Sequence, residues 1–176
     1  AELWNGRDCG ISYWLLFVCK MCVCLTIAIQ AGYDLRLAVT DEIRCREDEQ
    51  KTQLLLERLA QTDGDGLPQL PVVFVGYQET ELPEWCRRTE MYGWSFYGWD
   101  YSMENPTGAT HRICGFVQAY TGNVLQEDAT EEQKKTAVEL AAQMKNFPEE
   151  GSVLVTEDCV VVRLSDITEQ MRTDWW

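Results

Sequence analysis

Histidine is almost missing from this chain, because only His111 among its 176 residues is a histidine. A nucleophile-base-acid triad would have to use His111, and no G-x-S-x-G elbow accompanies it. The sequence also has no phosphate-binding loop and no GxGxxG motif. We therefore expect His111 to be an exposed residue in the first turn of a helix, and we expect no catalytic residue in this chain.

Basic residues are also scarce, since 15 Lys and Arg stand against 29 Asp and Glu and leave a net charge of −14. The charges of residues 1–33 cancel, so the whole excess lies on residues 34–176. A segment this negative repels phosphate backbones and anionic lipid headgroups. We expect no nucleic-acid partner. Residues 34–176 are numerous enough for one compact domain with its own core.

A metal-binding pattern is missing too. The Cys19-x-x-Cys22 pair has no second pair to complete a zinc site, and it lies in an apolar segment where cysteine behaves as a small hydrophobe. We expect neither a metal nor a cofactor. Disulfides stay undecided among the remaining, scattered cysteines, which are Cys9, Cys45, Cys86, Cys114 and Cys159.

Charge is nearly absent from Ile11 to Ile29, where only Lys20 is charged. At about 1.5 Å per residue this segment forms a helix of about 28 Å, close to the hydrocarbon thickness of a bilayer. We expect a membrane-spanning helix with lipid as its partner, and with Lys20 either snorkelling or facing a partner helix. A signal peptide and a buried core helix remain as alternatives, although the basic start and cleavage site of a signal peptide are unconvincing here.

The remaining sequence predicts a small α/β domain, in the broad sense that includes α+β, with a mixed sheet packed against helices. We divide the chain into four parts: residues 1–33 form the apolar helix, residues 34–66 a juxtamembrane helix and linker, residues 67–165 the domain, and residues 166–176 a polar tail. Within the juxtamembrane helix, Asp41, Arg44 and Asp48 share one face. We expect them to form a solvated ladder of ion pairs.

The elements of the domain follow from local patterns. Pro71 to Gly76 is a continuous apolar run that predicts a buried strand, which we place at the centre of the sheet. A helix from Thr110 to Tyr120 should stop at Gly122. The capping box of Thr130 and Gln133 should open a helix that Pro148 ends, and a hairpin should follow over residues 152–164.

Six aromatic residues lie in the segment from Tyr92 to Tyr101, and two of them, Trp94 and Trp99, belong to the candidate ligand cluster of this chain. Indole rings stack on sugar rings, and a neighbouring carboxylate binds hydroxyl groups. Arg112 is placed to pair with Asp100 and so to tie this segment to the next helix. We expect these aromatic residues to fill the core or to lie at the membrane interface, with a sugar-binding platform as the alternative. The candidate ligand or structural cluster is therefore Trp94, Trp99, Asp100 and Arg112.

Together these pieces resemble the carboxy-terminal end of bacterial polytopic glucosyltransferases of the O-antigen-modifying Gtr type. The resemblance covers most of residues 11–165 and depends on the order of short motifs. These are the last membrane helix, Asp41-x-x-Arg44-x-x-x-Asp48, the strand Pro71 to Gly76, Gly93-Trp94-Ser95-Phe96 with Trp99-Asp100, Arg112-Ile113-Cys114-Gly115-Phe116, and Pro148-Glu149-Glu150-Gly151-Ser152-Val153.

The resemblance implies an accessory domain of an enzyme that moves a glucosyl group from a polyprenyl-phosphate donor to a surface polysaccharide. The catalytic acidic residues of such enzymes lie upstream in the membrane domain, so this chain would be inactive alone. Its partners would be the polysaccharide and that membrane domain. The alternatives are a non-enzymatic, membrane-tethered interaction or carbohydrate-binding domain, and a soluble protein with a buried first helix.

The sequence leaves open on which side of the cell membrane the domain lies. The resemblance implies an extracytoplasmic location. However, Arg36, Arg44, Arg46 and Lys51 follow the apolar helix while only Arg7 precedes it, which favours the cytoplasmic side by the positive-inside rule.

Overall fold

A computed structural model of the chain describes residues 7–63, 66–86, 89 and 93–167. The described part contains a long amino-terminal helix, two shorter helices and a small mixed sheet, which confirms the expected α+β class. In chain order the elements are α1 (Arg7–Asp63), β1 (Val72–Val75), α2 (Ala109–Thr121), α3 (Glu131–Ala141), β2 (Val153–Val155) and β3 (Val160–Arg163).

The apolar segment and the juxtamembrane helix form one unbroken helix, α1, of 57 residues. From Tyr13 to Ile29 nearly every side chain is exposed, and none is buried. Farther along, the same helix carries core residues, because Leu55 and Leu59 are fully buried in the domain. One end of α1 therefore stands free of the domain, and the other end is part of its hydrophobic core.

The sheet has the strand order β1-β3-β2, with β1 parallel and β2 antiparallel to β3. The expected hairpin over residues 152–164 is confirmed as β2 and β3. The placement of β1 at the centre is wrong, because β3 is the central strand of the described sheet. β1 is nevertheless fully buried since two loops cover its free edge: the Val72 amide donates to the Gln126 carbonyl and the Gly76 amide to the Pro106 carbonyl.

Alternation along the strands separates two layers of core. Phe74 and Val162 face α1 and α2, where they pack with Leu55 and Ile113. The intervening strand residues face α3 and form a second cluster, which contains Val73, Val75, Val161, Ala137 and Ala141. Since successive strand side chains point to opposite faces, the period-two pattern of β1 and β3 builds both layers at once.

Most of the predicted helix ends agree with the structure. Gly122 ends α2 in the left-handed conformation, with φ of 76°, and Thr130 with Gln133 forms the capping box that opens α3. The prediction that α3 runs on to Pro148 is wrong, because the helix ends at Ala141. Phe147 belongs to the core on the opposite face of the sheet, which a continued α3 could not reach.

Candidate functional site

A buried carboxylate joins α1 to the aromatic segment of residues 93–101. Asp48 is completely buried. Its two oxygens accept hydrogen bonds from the Ser95 hydroxyl at 2.6 Å and from the Phe96 amide at 3.0 Å. The expected solvated ladder is therefore wrong at Asp48, because the aromatic segment covers this position of the helix.

Two cations on α1 flank Asp48. The Arg44 guanidinium lies 3.6 Å from Asp48 and 2.8 Å from Asp41, so the predicted pairing along the helix is present. It also lies 5.0 Å from the centre of the Phe96 ring. The ammonium of Lys51 lies 4.0 Å from Asp48 and donates to the Glu79 carbonyl. Charged and aromatic contacts thus fasten one face of α1 to the loops of the domain.

Burial shifts the pKa values of Asp48 and Lys51 in opposite directions. Desolvation raises the pKa of Asp48, although the bonds from Ser95 and Phe96 and the two cations oppose that change. Desolvation likewise lowers the pKa of Lys51, and Asp48 opposes it. Both shifts show that removal from water outweighs the attraction between the charges. The hydrogen bonds from Ser95 and Phe96 and the two nearby cations therefore compensate only part of the cost of burying the Asp48 carboxylate.

Beside this contact, three of the four predicted cluster residues meet at the surface. The Arg112 side chain donates from Nε to Asp100 at 2.7 Å, so the predicted pair is present. The same guanidinium lies 5.1 Å from the centre of the Trp99 ring. Trp94 is held differently, because its indole Nε1 donates to the Thr89 carbonyl at 2.7 Å.

The backbone at Asp100 has an unusual conformation, with φ of 67°. Few residues other than glycine adopt it, and aspartate is among those that do. The start of α2 also presses closely against this point, since a Cβ atom on Gly108 would lie 2.0 Å from the Asp100 carbonyl oxygen. The Asp100 carboxylate is thus held at the surface by its left-handed backbone, by the close approach of Gly108 and by the ion pair with Arg112.

The aromatic segment divides between the core and the surface. Tyr97 and Tyr101 are buried, and the Tyr97 hydroxyl shares a hydrogen bond with the Thr52 hydroxyl of α1. Phe96 stacks on Phe116 at 4.7 Å between ring centres and lies 6.1 Å from Trp99. The core interpretation therefore holds for the two tyrosines, while Trp99 stays partly exposed.

Sequence reasoning missed the role of Asp48, although a signal for it exists. Asp48, Thr52, Leu55 and Leu59 follow one another at spacings of four, three and four residues, which places them on one helix face. The leucines at positions 55 and 59 mark this face as apolar in the second half of the helix. Extending it by two turns identifies Asp48 as a buried position. The Ser95 and Phe96 partners have no comparable signal because they lie far away in sequence.

The other titratable groups fall outside this site. His111 is exposed in the first turn of α2, as predicted, and its Nδ1 lies 2.8 Å from Glu127. Seven cysteines are free thiols: Cys19, Cys22, Cys24, Cys45, Cys86, Cys114 and Cys159. Burial raises the pKa of Cys114 to about 12, so this thiol is unreactive at neutral pH. Among the described residues, no group of three or more potential ligands could hold a metal ion.

By length and composition, α1 could cross a membrane, and the apolar part that meets this criterion is not buried against the domain. No protein-family model, curated protein or solved structure matches the chain.

Proposed function

We propose that this chain is a membrane-anchored accessory domain of a glycosyltransferase that moves a glucosyl group from a polyprenyl-phosphate donor to a surface polysaccharide. The apolar part of α1 is its membrane anchor. The surface cluster of Trp99, Asp100 and Arg112 contacts the polysaccharide. Sequence resemblance supports the choice of reaction, and the geometry of the cluster supports the choice of surface.

The observation that carries the sugar-binding surface is the conformation of Asp100. A left-handed backbone conformation at a residue other than glycine costs free energy, which contacts elsewhere in the structure must compensate. Residues in this conformation concentrate at functional sites. Here the carboxylate points to the surface beside an indole ring and a guanidinium, with Asp100 and Arg112 both close to half exposed. A carboxylate and a guanidinium can bind hydroxyl groups while the indole covers the apolar face of a sugar ring.

The fastening of α1 to the domain supports a role near the membrane. Because the helix continues without a break from Tyr13 into the core residues Leu55 and Leu59, the domain has no flexible linker to the apolar segment. Asp48 adds a polar contact between that helix and the aromatic segment. The cluster on this segment would then be held at a set distance from the bilayer.

The anchor is tested by expressing the chain in cells and washing the membranes with alkaline carbonate. We expect the chain to stay in the pellet and to float with vesicles in a density gradient. A variant with Leu15, Leu25 and Ile27 all changed to Asp should move to the supernatant. A wild-type chain found wholly in the supernatant would defeat the membrane part of the proposal.

The sugar-binding surface is tested by titrating the full chain in detergent micelles with glucan oligosaccharides while tryptophan fluorescence is recorded. We expect a saturable change that Trp99→Ala and Asp100→Asn abolish. Trp85→Ala is the matched control, because Trp85 is also exposed but lies in the 84–85 turn. The absence of saturation, or an equal loss in the Trp85 variant, would count against this surface.

The gene upstream of the codon for Ala1 separates the accessory domain from a self-contained binding protein. The transferase proposal expects several membrane helices to be encoded there in the same reading frame. The alternative, a membrane-tethered carbohydrate-binding domain without an enzyme, is favoured by one observation: Trp99, Asp100 and Arg112 meet within this chain alone. An open reading frame that starts near Ala1, together with saturable sugar binding, would establish that alternative.

A further inference from the structure

Lys20 lies at the midpoint of the apolar segment, about 13 Å along the helix from either end. A lysine side chain covers about half of that distance, so on an upright helix its ammonium stays within the hydrocarbon layer. No Asp or Glu occurs between Ile11 and Tyr33 to neutralise it. Ionised residues at this depth face other helices and pair with an opposite charge there.

Lys20 belongs to a regular face of α1. Residues spaced alternately by three and four positions lie on one side of a helix, which is the spacing of helices that cross at about 20°. Starting from Lys20, this rule selects an exposed row that we call the docking face. Its members are Leu16, Lys20, Val23, Ile27, Gln30 and Asp34.

The docking face leads into a hollow in the surface above the apolar segment. The hollow has a volume of about 540 Å³ and is open to solvent, and the described residues that line it, among them Asp34, Leu37 and Ala38, all belong to α1. Ala38 follows Lys20 by about five helical turns, so the two point in the same direction. A second helix lying along the docking face would therefore extend into this hollow.

The charges on the docking face indicate what kind of helix fits it. Lys20 is a cation at mid-depth, and Asp34 is an anion about 21 Å farther along the axis. Asp34 accepts a hydrogen bond from the Gln30 amide at 2.9 Å. A second copy of this chain is a poor partner, because Lys20 at the midpoint would meet another Lys20 whether the helices ran parallel or antiparallel.

We infer that the docking face binds a second membrane-spanning helix that carries Asp or Glu opposite Lys20 and a basic residue opposite Asp34. This inference rests on the proposed function, because it assigns the helix to the membrane-embedded part of the same transferase. The partner helix would lie along α1 and reach the hollow lined by Asp34.

The probe is a leucine-rich, membrane-spanning peptide with one central Glu and an Arg near one end. Control peptides carry Leu or Lys in place of the Glu. The full chain, labelled with a donor dye at its amino terminus, is reconstituted in phosphatidylcholine vesicles, and energy transfer to each labelled peptide is titrated. We expect the Glu peptide to associate roughly five- to thirtyfold more tightly than the Leu peptide.

Two variants test whether Lys20 is responsible. Lys20→Met should remove the preference for the Glu peptide. The double variant Lys20→Met/Met21→Lys keeps the amino-acid composition and moves the lysine by only about 1.5 Å along the helix axis. It rotates the charge by about 100° around the helix, away from the docking face. It should lose the preference as well. Equal binding of the Glu and Leu peptides by the wild-type chain, or an undiminished preference in the exchanged variant, would overturn the inference.

Flotation of each vesicle sample separates this result from the proposed function. A chain that floats but shows no preference for the Glu peptide refutes the docking face and leaves the membrane anchor intact. A chain that does not float refutes both.

Discussion

Asp48 shows how one residue can connect distant parts of this molecule. It lies on the helix that carries the apolar segment, and it accepts hydrogen bonds from two consecutive residues of the aromatic segment. Removing one member of a buried ion pair destabilises the folded state, because the remaining charge stays buried without a partner. The Arg44 side chain is mostly buried, with 11% of its surface exposed, and would be left in that position.

The first prediction concerns the stability contributed by Asp48. Asp48→Ala should lower the free energy of unfolding by about 3 kcal/mol, because Arg44 and Lys51 lose their buried partner. Asp48→Asn should cost less, since its amide oxygen can still accept one hydrogen bond. Thermal and urea unfolding of the full chain in micelles measures both.

Glu42→Ala is the control for that experiment. Glu42 pairs with Arg46 on the same helix, but both side chains are exposed. Its loss should change the free energy of unfolding by less than about 0.5 kcal/mol. Equal destabilisation by Glu42→Ala and Asp48→Ala would contradict the structural role of Asp48.

The second prediction concerns pH. Burial raises the pKa of Asp48 above its ordinary value of 3.8. Between 3.8 and the raised pKa, the folded chain holds a proton that the unfolded chain has lost, so the free energy of unfolding falls as the pH rises. Asp48→Asn carries no such proton. The stability of the wild type relative to this variant should therefore decrease as the pH rises through that interval.

The pKa of Lys51 is shifted in the opposite direction. Its pKa is lowered from 10.5, so it changes the pH dependence only on the alkaline side of its lowered value. Unfolding curves of the wild type and Asp48→Asn, recorded from acidic to neutral pH, measure the difference. A difference that does not vary with pH would show that the pKa of Asp48 is not raised.

At the scale of elements, the contact between the aromatic segment and the start of α2 shapes the surface cluster. Gly108 immediately precedes α2, and its backbone approaches Asp100 too closely for a side chain. Arg112, one turn into α2, then reaches back to Asp100. The close approach of two backbones therefore positions the ion pair.

The third prediction compares two glycines at this contact. Gly108→Ala should lower the free energy of unfolding by about 1–3 kcal/mol, because the new methyl group collides with the Asp100 carbonyl. Gly115→Ala should raise it by about 0.5–1 kcal/mol, because Gly115 is an exposed position inside α2 with no atom within 4 Å of a new Cβ. Chemical unfolding of both variants is the measurement. Destabilisation by Gly115→Ala, or none by Gly108→Ala, would contradict the packing described for this contact.

At the scale of the whole molecule, α1 determines how the domain is connected to the apolar segment. The helix passes through Gly32, around which no atom lies within 4 Å of a built Cβ. At Gly32, therefore, the backbone hydrogen bonds of α1 keep the helix straight without support from packing on this side. A break there would leave the core of the domain unchanged.

The fourth prediction tests this rigid connection. Gly32→Pro should kink α1, because proline removes a helical hydrogen bond and clashes with the preceding turn. Gly32→Ala should preserve the straight helix. Spin labels on noncanonical residues at Leu25 and Val124, both exposed, report the distance between the apolar segment and the domain.

We expect a shifted and broadened distance distribution for Gly32→Pro and an unchanged one for Gly32→Ala. The near-ultraviolet circular dichroism of the domain should be the same in both variants. Identical distance distributions in the proline and alanine variants would show that α1 does not fix the position of the domain.

Local patterns determined much of this protein by themselves. The apolar run, the capping box at Thr130, the stop at Gly122 and the hairpin over residues 152–164 depend on neighbouring residues, so the sequence was sufficient to predict them. The pair of Arg112 and Asp100 was also predicted, because both residues flank the same short loop. These features need only contacts between residues that are close in the chain.

Tertiary structure alone decided which segment covers the buried charge and which strand is central. Asp48 is buried only because Ser95 and Phe96, far away in sequence, fold over it. Similarly, β1 becomes an edge strand because β3 pairs with it on one side and loops cover the other. The periodicity of a helix shows that one of its faces will be buried. It does not show which segment will cover that face, because this depends on how the whole chain packs.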